Sequence, residues 1–186
     1  MQSPRTVEGV RIMLNKKVEE SINKQIAAEL YSAYLYLAMA AYFETENLNG
    51  MGQWMKAQAF EEMYHAMKFY DYVNERGGKV VFLGIDKPPA EWDSPLAAFT
   101  AAYDHEVKVT GMINDLVDIA RSENDKATES FLNWYVDEQV EEEANADEIV
   151  NKLKLMAGAP GGLFMLDEKL GQRAYVWPGV GAEGEK

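Results

Sequence analysis

The chain has 186 residues, of which 47% are hydrophobic and none is cysteine, and its formal net charge at pH 7 is -13. This length and apolar content predict one domain, and the lack of thiols excludes a disulfide framework, a zinc ribbon and a rubredoxin-type iron site. The acidic balance argues against a nucleic-acid partner, because phosphate binding requires clustered Lys and Arg, and it favours cations as partners.

The N-terminal residues carry no secretory signal pattern, and the longest apolar run, residues 33–43, is too short to cross a bilayer. We therefore expect no membrane partner and a cytoplasmic location, which the absence of cysteine also fits. Residues 1–14 form a lead-in for which the sequence predicts no particular structure.

The first predicted helix is capped by Asn15 and ends near Asn47, where the pair Asn49-Gly50 gives a stop signal. The second begins near Gly52 and ends at Arg76, so a short turn makes the two helices antiparallel neighbours. A second apolar stripe on the first helix predicts a subunit interface and consists of Leu30, Tyr34, Leu37 and Ala41.

Residues 79–93 contain a β-leaning run and two prolines, which predict an extended crossover rather than a helix. The third helix begins at Ser94-Pro95, a cap residue followed by proline at the first helical position, and ends near Asn124. The fourth spans residues 126–157.

A short amphipathic segment within residues 161–171 predicts a fifth helix, and residues 175–186 predict an irregular tail. The predicted fold is therefore all-α. It is an antiparallel four-helix bundle over residues 15–157, with a long crossover between helices two and three and a short fifth helix, in a single domain of residues 1–186.

Polar residues interrupt the apolar seams of the predicted helices at matching positions. Glu62 and His65 form a Glu-x-x-His pair in the second helix, and Gln139 and Glu142 repeat the spacing 77 residues later in the fourth. Residues three apart share a helix face, so each pair points into the bundle.

The same shift of 77 residues relates Glu29 in the first helix to Glu106 in the third. Two helix pairs that each supply one carboxylate and an i, i+3 pair form the di-metal carboxylate pattern of four-helix bundles. Four buried carboxylates must be neutralised, either by shared protons or by cations. We favour two divalent cations with His65 as a nitrogen ligand, because oxygen ligands with one imidazole suit iron or manganese, although zinc can also bind.

A second acidic layer adjoins this centre and consists of Glu61, Glu138 and Glu141. Such residues can simply form a solvated face, but their adjacency to the centre predicts a third metal position. His105 is expected to be a surface or interface histidine, and Met63 a packing residue rather than a haem ligand.

Three stretches, residues 23–32, 61–65 and 131–143, resemble the prokaryotic non-haem ferritins, and the resemblance extends over residues 15–170. It implies that Glu29, Glu62 and His65 hold a first iron. It also implies that Glu62 bridges to a second iron, whose other ligands are Glu106 and Glu142.

By the same resemblance, Gln139 stands beside the second iron and Tyr36 matches the tyrosine next to the ferroxidase centre. The third iron site of the family is matched by Glu61, Glu138, Glu141 and Glu142. The implied function is iron storage in a homo-oligomeric cage of 24 subunits. Each subunit would oxidise two Fe(II) with dioxygen or hydrogen peroxide, hold a third Fe in the outer layer, and deliver ferric iron to a mineral.

Three alternatives remain open. Haem-containing bacterioferritins carry Glu-x-x-His in the fourth helix, where this chain has Gln139 and Glu142, and this departure argues against haem. A cage protein that binds iron without significant turnover is the second alternative, and the intact ligand set favours the enzyme over it. A di-iron oxidase acting on an organic substrate would need a substrate pocket, which the sequence does not indicate.

Overall fold

The computed structural model describes residues 14–159 and 161–174. The described helices are, in order, α1 (Lys16–Thr45), α2 (Asn49–Glu75), α3 (Pro95–Ser122), α4 (Lys126–Leu155) and α5 (Gly162–Leu170). α1 packs along α2 and α3 along α4, the two pairs meet through α1 and α3, and α5 lies against α2. The predicted four-helix bundle with a short fifth helix is confirmed. The predicted tail, and the lead-in apart from its last residue, lie outside the described residues.

Two helix starts follow from their capping side chains, as predicted. The side chain of Asn15 accepts a hydrogen bond from the backbone N of Lys17 at 2.8 Å. Ser94 Oγ accepts one from Ala97 N at 3.1 Å, and Pro95 is the first residue of α3. Both caps satisfy backbone donors that the first helical turn leaves unpaired.

The start of α2 differs from the prediction. Asn49 and Gly50, which we expected to end α1, are instead the first residues of α2, so this helix begins three residues before Gly52. The turn is made by Asn47, whose φ of 58° lies in the left-handed region. Asn tolerates that region better than most residues, so it ends α1 without a glycine.

α5 supplies the cap that α2 lacks. Asp167 Oδ1 accepts a hydrogen bond from Met51 N at 2.8 Å. At Gly50 the backbones of the two helices touch, because a Cβ added there would lie 1.8 Å from the carbonyl oxygen of Asp167. A glycine on α2 therefore fixes where α5 docks.

Residues 78–92 form neither helix nor strand, which confirms the extended crossover. Two α1 side chains hold its beginning. Glu19 Oε2 accepts from Lys79 N at 2.8 Å, while Asn23 accepts from Val81 N at 2.8 Å and donates to the Lys79 carbonyl at 3.0 Å.

Within the described part of the chain, only α1 is long and apolar enough to cross a membrane, with a mean hydropathy of 1.2 over an 18-residue window. The bundle buries 56% of that window, which is the behaviour of a core helix. The second stripe of α1 points outward, since Tyr34 is 46% and Leu37 47% exposed.

Candidate metal centre

The hydrophobic core consists of two clusters, and a polar layer separates them. One cluster includes Tyr36, Met55 and Phe99, and the other includes Ile26 and Phe69. Each of the four long helices contributes buried polar residues to the layer between the two clusters. At most 6% of each of these side chains is exposed: Glu29, Glu62, His65, Glu106, Gln139 and Glu142.

Glu29, Glu62 and His65 form the tightest group in this layer. Each offers one potential ligand atom, and these atoms lie within 4.8 Å of one another. His65 Nδ1 lies 3.5 Å from Glu62 Oε2. The hydroxyl of Tyr135 donates to the His65 carbonyl at 2.8 Å, and the Trp134 ring packs edge-on to the imidazole at a centroid distance of 5.4 Å. The spacing suits a single cation bound by all three side chains.

Glu106 lies across the bundle and is oriented by two donors. The Tyr36 hydroxyl donates to Glu106 Oε1, and Gln139 Nε2 donates to Glu106 Oε2 at 3.2 Å. Among the described residues, Glu106 is not part of a close ligand group. The negative charge of Glu106 still influences the centre, because it contributes to the raised pKa of Glu62.

Glu142 is held by a residue to which the sequence pattern gave no role. Gln58 Nε2 donates to Glu142 Oε2 at 2.7 Å, while Gln58 Oε1 is buried without a partner in the described structure. In the same way, Gln25 Nε2 donates to Glu29 Oε1 at 3.0 Å. Gln25 lies one helical turn before Glu29 on its own helix, and this spacing was the available signal for that contact.

Burial raises the pKa values of the carboxylates in this layer, so they ionise less readily than exposed carboxylates. Burial, followed by the nearby charge of Glu62, raises the pKa of Glu29 to about 8. Burial, followed by the charge of Glu106, raises the pKa of Glu142 to about 7. The pKa values of Glu62 and Glu106 are also raised, chiefly by burial. Protons or cations must therefore neutralise these groups.

One carboxylate oxygen of this layer has no partner among the described residues. Glu29 Oε2 is buried and accepts no hydrogen bond within the described structure. An unpaired buried acceptor is costly, and a cation bound between Glu29, Glu62 and His65 would satisfy it. The donor set therefore fits a divalent metal.

Gln139 also links the centre to the groove between α3 and α4. Its Nε2 donates to Thr110 Oγ1 at 3.3 Å, and the Thr110 hydroxyl donates to Glu143 Oε1 at 2.5 Å. These side chains line a cavity of about 310 Å³. Thr110 and Glu143 lay outside the predicted site, because their link to Glu106 depends on how α3 and α4 face each other.

The outer acidic layer is only partly assembled as predicted. Glu138 joins His65 and Glu142 in a second group whose ligand atoms lie within 4.8 Å of one another. Burial raises the pKa of Glu138, with further contributions from the charges of Glu141 and Glu61. Glu141 is exposed beside this group, and Glu61 makes an ion pair with Arg173 at 2.5 Å.

His105 lies on another face and is half-buried, so it is not a fully exposed surface residue, and its place in an interface stays a prediction. Its Nε2 shares a hydrogen bond with Ser32 Oγ at 2.8 Å, and its ring contacts Tyr31 at a centroid distance of 5.8 Å. Burial, followed by the charge of Lys108, lowers its pKa to about 4. It is therefore neutral near pH 7, and it belongs to neither potential metal group in the described structure.

The sequence model of the ferritin-like domain matches residues 19–156. The bacterial non-heme ferritin of Bacteroides fragilis is 47% identical over 161 residues, which cover 87% of this chain and all of that protein. The bacterial non-heme ferritin of Staphylococcus aureus (strain MRSA252) is 37% identical over 163 residues, covering 88% of this chain and 98% of that protein.

Comparison with solved structures indicates the same family as these sequence relatives. The open-pore ferritin of the hyperthermophilic archaeon Archaeoglobus fulgidus superposes with a TM-score of 0.86 at 52% identity, covering 87% of this chain and 99% of that one. A form of that ferritin engineered to be closed gives the same TM-score and identity, with coverage of 88% and 99%. The resemblance inferred from the sequence motifs is therefore confirmed: this chain belongs to the ferritin family.

Proposed function

We propose that this chain is the ferroxidase subunit of an iron-storage protein. Iron is its substrate and its cargo. Two Fe(II) ions each lose one electron, and dioxygen takes both electrons with two protons to give hydrogen peroxide. Alternatively, hydrogen peroxide takes two electrons and two protons to give two waters. The ferric product then enters a mineral inside an oligomeric cage.

Glu29, Glu62 and His65 are assigned to the first iron, and Glu62, Glu106 and Glu142 to the second. The observation that carries this assignment is the buried layer of four carboxylates with raised pKa values, one of which has an unpaired oxygen. Two divalent cations would balance the four negative charges, and two trivalent products would not.

Gln139 and Tyr36 orient the ligand on α3. Both donate to the Glu106 carboxylate, so they hold it in one rotamer and favour its charged form. Haem is not part of the proposal, because α4 carries Gln139 and Glu142 at the positions where bacterioferritins have Glu-x-x-His.

Cage assembly, with 24 subunits by family resemblance, would cover the exposed apolar residues of the monomer. Tyr34 and Leu37 on α1, and Phe82 and Leu83 on the crossover, are each between 45% and 64% exposed. Such a surface is typical of an interface between subunits. Light scattering at micromolar concentration should give the mass of a large oligomer that persists on dilution, whereas a stable monomer or dimer would contradict the cage.

The decisive test is stopped-flow oxidation at two Fe(II) per subunit. Glu62→Ala should remove a ligand shared by both irons and reduce the fast phase by about 100-fold or more, since loss of even the outer-shell partners of metal ligands typically costs about 10- to 100-fold. Glu61→Ala should leave that phase within about threefold, because Glu61 faces Arg173 instead. Equal loss in both variants, or a wild-type rate in Glu62→Ala, would refute the assignment. Binding of two Fe(II) without oxidation would identify a storage protein that lacks turnover.

A further inference from the structure

We propose that Arg173 sets the affinity of the outer carboxylate layer for divalent cations, by competing with the cation for Glu61. This inference rests on the proposed function, a two-metal centre, and on the third metal position that the sequence pattern predicts in the outer layer beside it. Arg173 is an affinity-determining residue in this role and touches no reacting atom.

Three contacts to α2 fix Arg173 just beyond the end of α5. Its Nη2 lies 2.5 Å from Glu61 Oε2, and its guanidinium carbon lies 4.8 Å from the ring centroid of Trp54. Its carbonyl accepts a hydrogen bond from Gln53 Nε2 at 3.2 Å. An ion pair supported by a cation–π contact and a backbone anchor is better ordered than an isolated surface pair.

Glu61 also adjoins the metal layer, because it directly precedes the ligand Glu62 on α2. Its charge contributes to the raised pKa values of both Glu138 and Glu142, so the carboxylate lies within electrostatic range of these two residues. One carboxylate therefore lies between a fixed guanidinium and the second ligand group. A cation that recruits Glu61 must share or displace Arg173, because two positive charges on one carboxylate repel each other.

The geometry allows this exchange without undocking α5. The helix is held by the backbone contact at Gly50 and by the Asp167 cap of Met51, and Arg173 lies three residues past its last residue. The Arg173 side chain is 24% exposed and that of Glu61 is 41% exposed. A guanidinium that swings into solvent therefore leaves the helix and its cap in place.

The test is calorimetric titration of the assembled, metal-free protein with Zn²⁺. Wild-type protein should bind two equivalents tightly at the centre and one more weakly in the outer layer. Arg173→Gln should tighten the weak equivalent about two- to fivefold, the range expected for losing a partly exposed ion pair, and leave the two tight equivalents within twofold. In a Glu61→Gln background, the same change should alter the weak equivalent less than twofold.

Arg121→Gln is the matched control. It removes an arginine from an ion pair with Glu129 at 2.7 Å and should leave all three equivalents unchanged. Arg173→Lys keeps the charge but loses the planar fork, so it should give a smaller tightening than Arg173→Gln. Light scattering checks that each variant assembles, and the lysine variant serves the comparison if the glutamine variant does not.

A weak equivalent that is unchanged or weakened in Arg173→Gln would overturn the proposal, as would an equal gain with and without Glu61. Loss of the third equivalent in the wild type, with two tight ones retained, would overturn the outer position and leave the two-metal function standing. Loss of the tight equivalents would instead refute the proposed function.

Discussion

Metal loading of the centre should release protons, and the buried carboxylates determine how many. At pH 7 a carboxyl group with a pKa of about 8, such as Glu29, is about nine-tenths protonated, and one with a pKa of about 7, such as Glu142, is about half protonated. Ligands must lose their protons to bind a metal. Loading with Zn²⁺ at pH 7 should therefore release at least about 1.4 protons per subunit. Glu62 and Glu106 add to this number, since their pKa values are also raised.

Calorimetry in two buffers of different ionisation enthalpy measures this release directly. The number of protons released by Glu29 and Glu142 should rise towards pH 6 and become small at pH 9, where both carboxylates are largely ionised before metal binds. Glu29→Gln should lower the release at pH 7 by about 0.9 proton, because its amide has none to give. Glu20→Gln is the control, since the Glu20 side chain is 62% exposed at the start of α1, and it should change nothing.

The same experiment separates the two ways of neutralising the layer. If protons and cations compete for these carboxylates, the metals that load one subunit together displace protons in the amount given above. Release of less than about half a proton at pH 7, or the same release from Glu29→Gln and wild type, would refute the raised pKa values as the source of neutrality.

Two further predictions concern stability. The pKa of Glu29 is about 8 in the folded state, against 4.5 for an ordinary Glu, so the folded protein binds more protons than the unfolded chain between these pH values and its stability falls as pH rises. Thermal denaturation of the metal-free protein should therefore show a lower Tm at pH 8.5 than at pH 6. Zn²⁺ should remove most of this difference. Gly50→Ala should lower the free energy of unfolding by about 2–4 kcal/mol, and with it the Tm, because the added Cβ would meet the Asp167 carbonyl oxygen at 1.8 Å. Gly52→Ala on the same helix is the control and should be nearly neutral, because the nearest contact of its Cβ would be 3.4 Å away. Equal Tm values for the two alanine variants would contradict the close approach of α5.

The fold was predictable because its signals are local. Ser94-Pro95 starts α3 through a cap and a fixed proline φ, and both features act within one helical turn. The polar layer was predictable for a related reason, since a carboxylate on an apolar seam needs a partner wherever the helices pack. The doubled spacing of Glu62-x-x-His65 and Gln139-x-x-Glu142 then identified the type of partner.

What the sequence did not predict depends on residues far apart in the chain. Gln58 and Glu142 are 84 residues apart, and Glu61 and Arg173 are 112 apart, so no helical period connects them. The early start of α2 has the same origin. Gly50 signals a helix end locally, but it lies inside α2 because Asp167 of α5 caps that helix and packs against the glycine.

Burial explains why the two acidic layers should differ in function. In the inner layer, four carboxylates with at most 6% exposure require nearly complete neutralisation, so we expect the two proposed divalent cations to be held tightly and an excess charge to be costly. In the outer layer, Glu138 lies near the positive charge of Lys68, and Glu61 pairs with Arg173. Water screens the remaining negative charge of this layer. This layer therefore tolerates an imbalance of charge, and Lys and Arg side chains already compete with a metal for its carboxylates. A metal there should exchange faster than one in the centre, which is the property required of a position that passes iron onward.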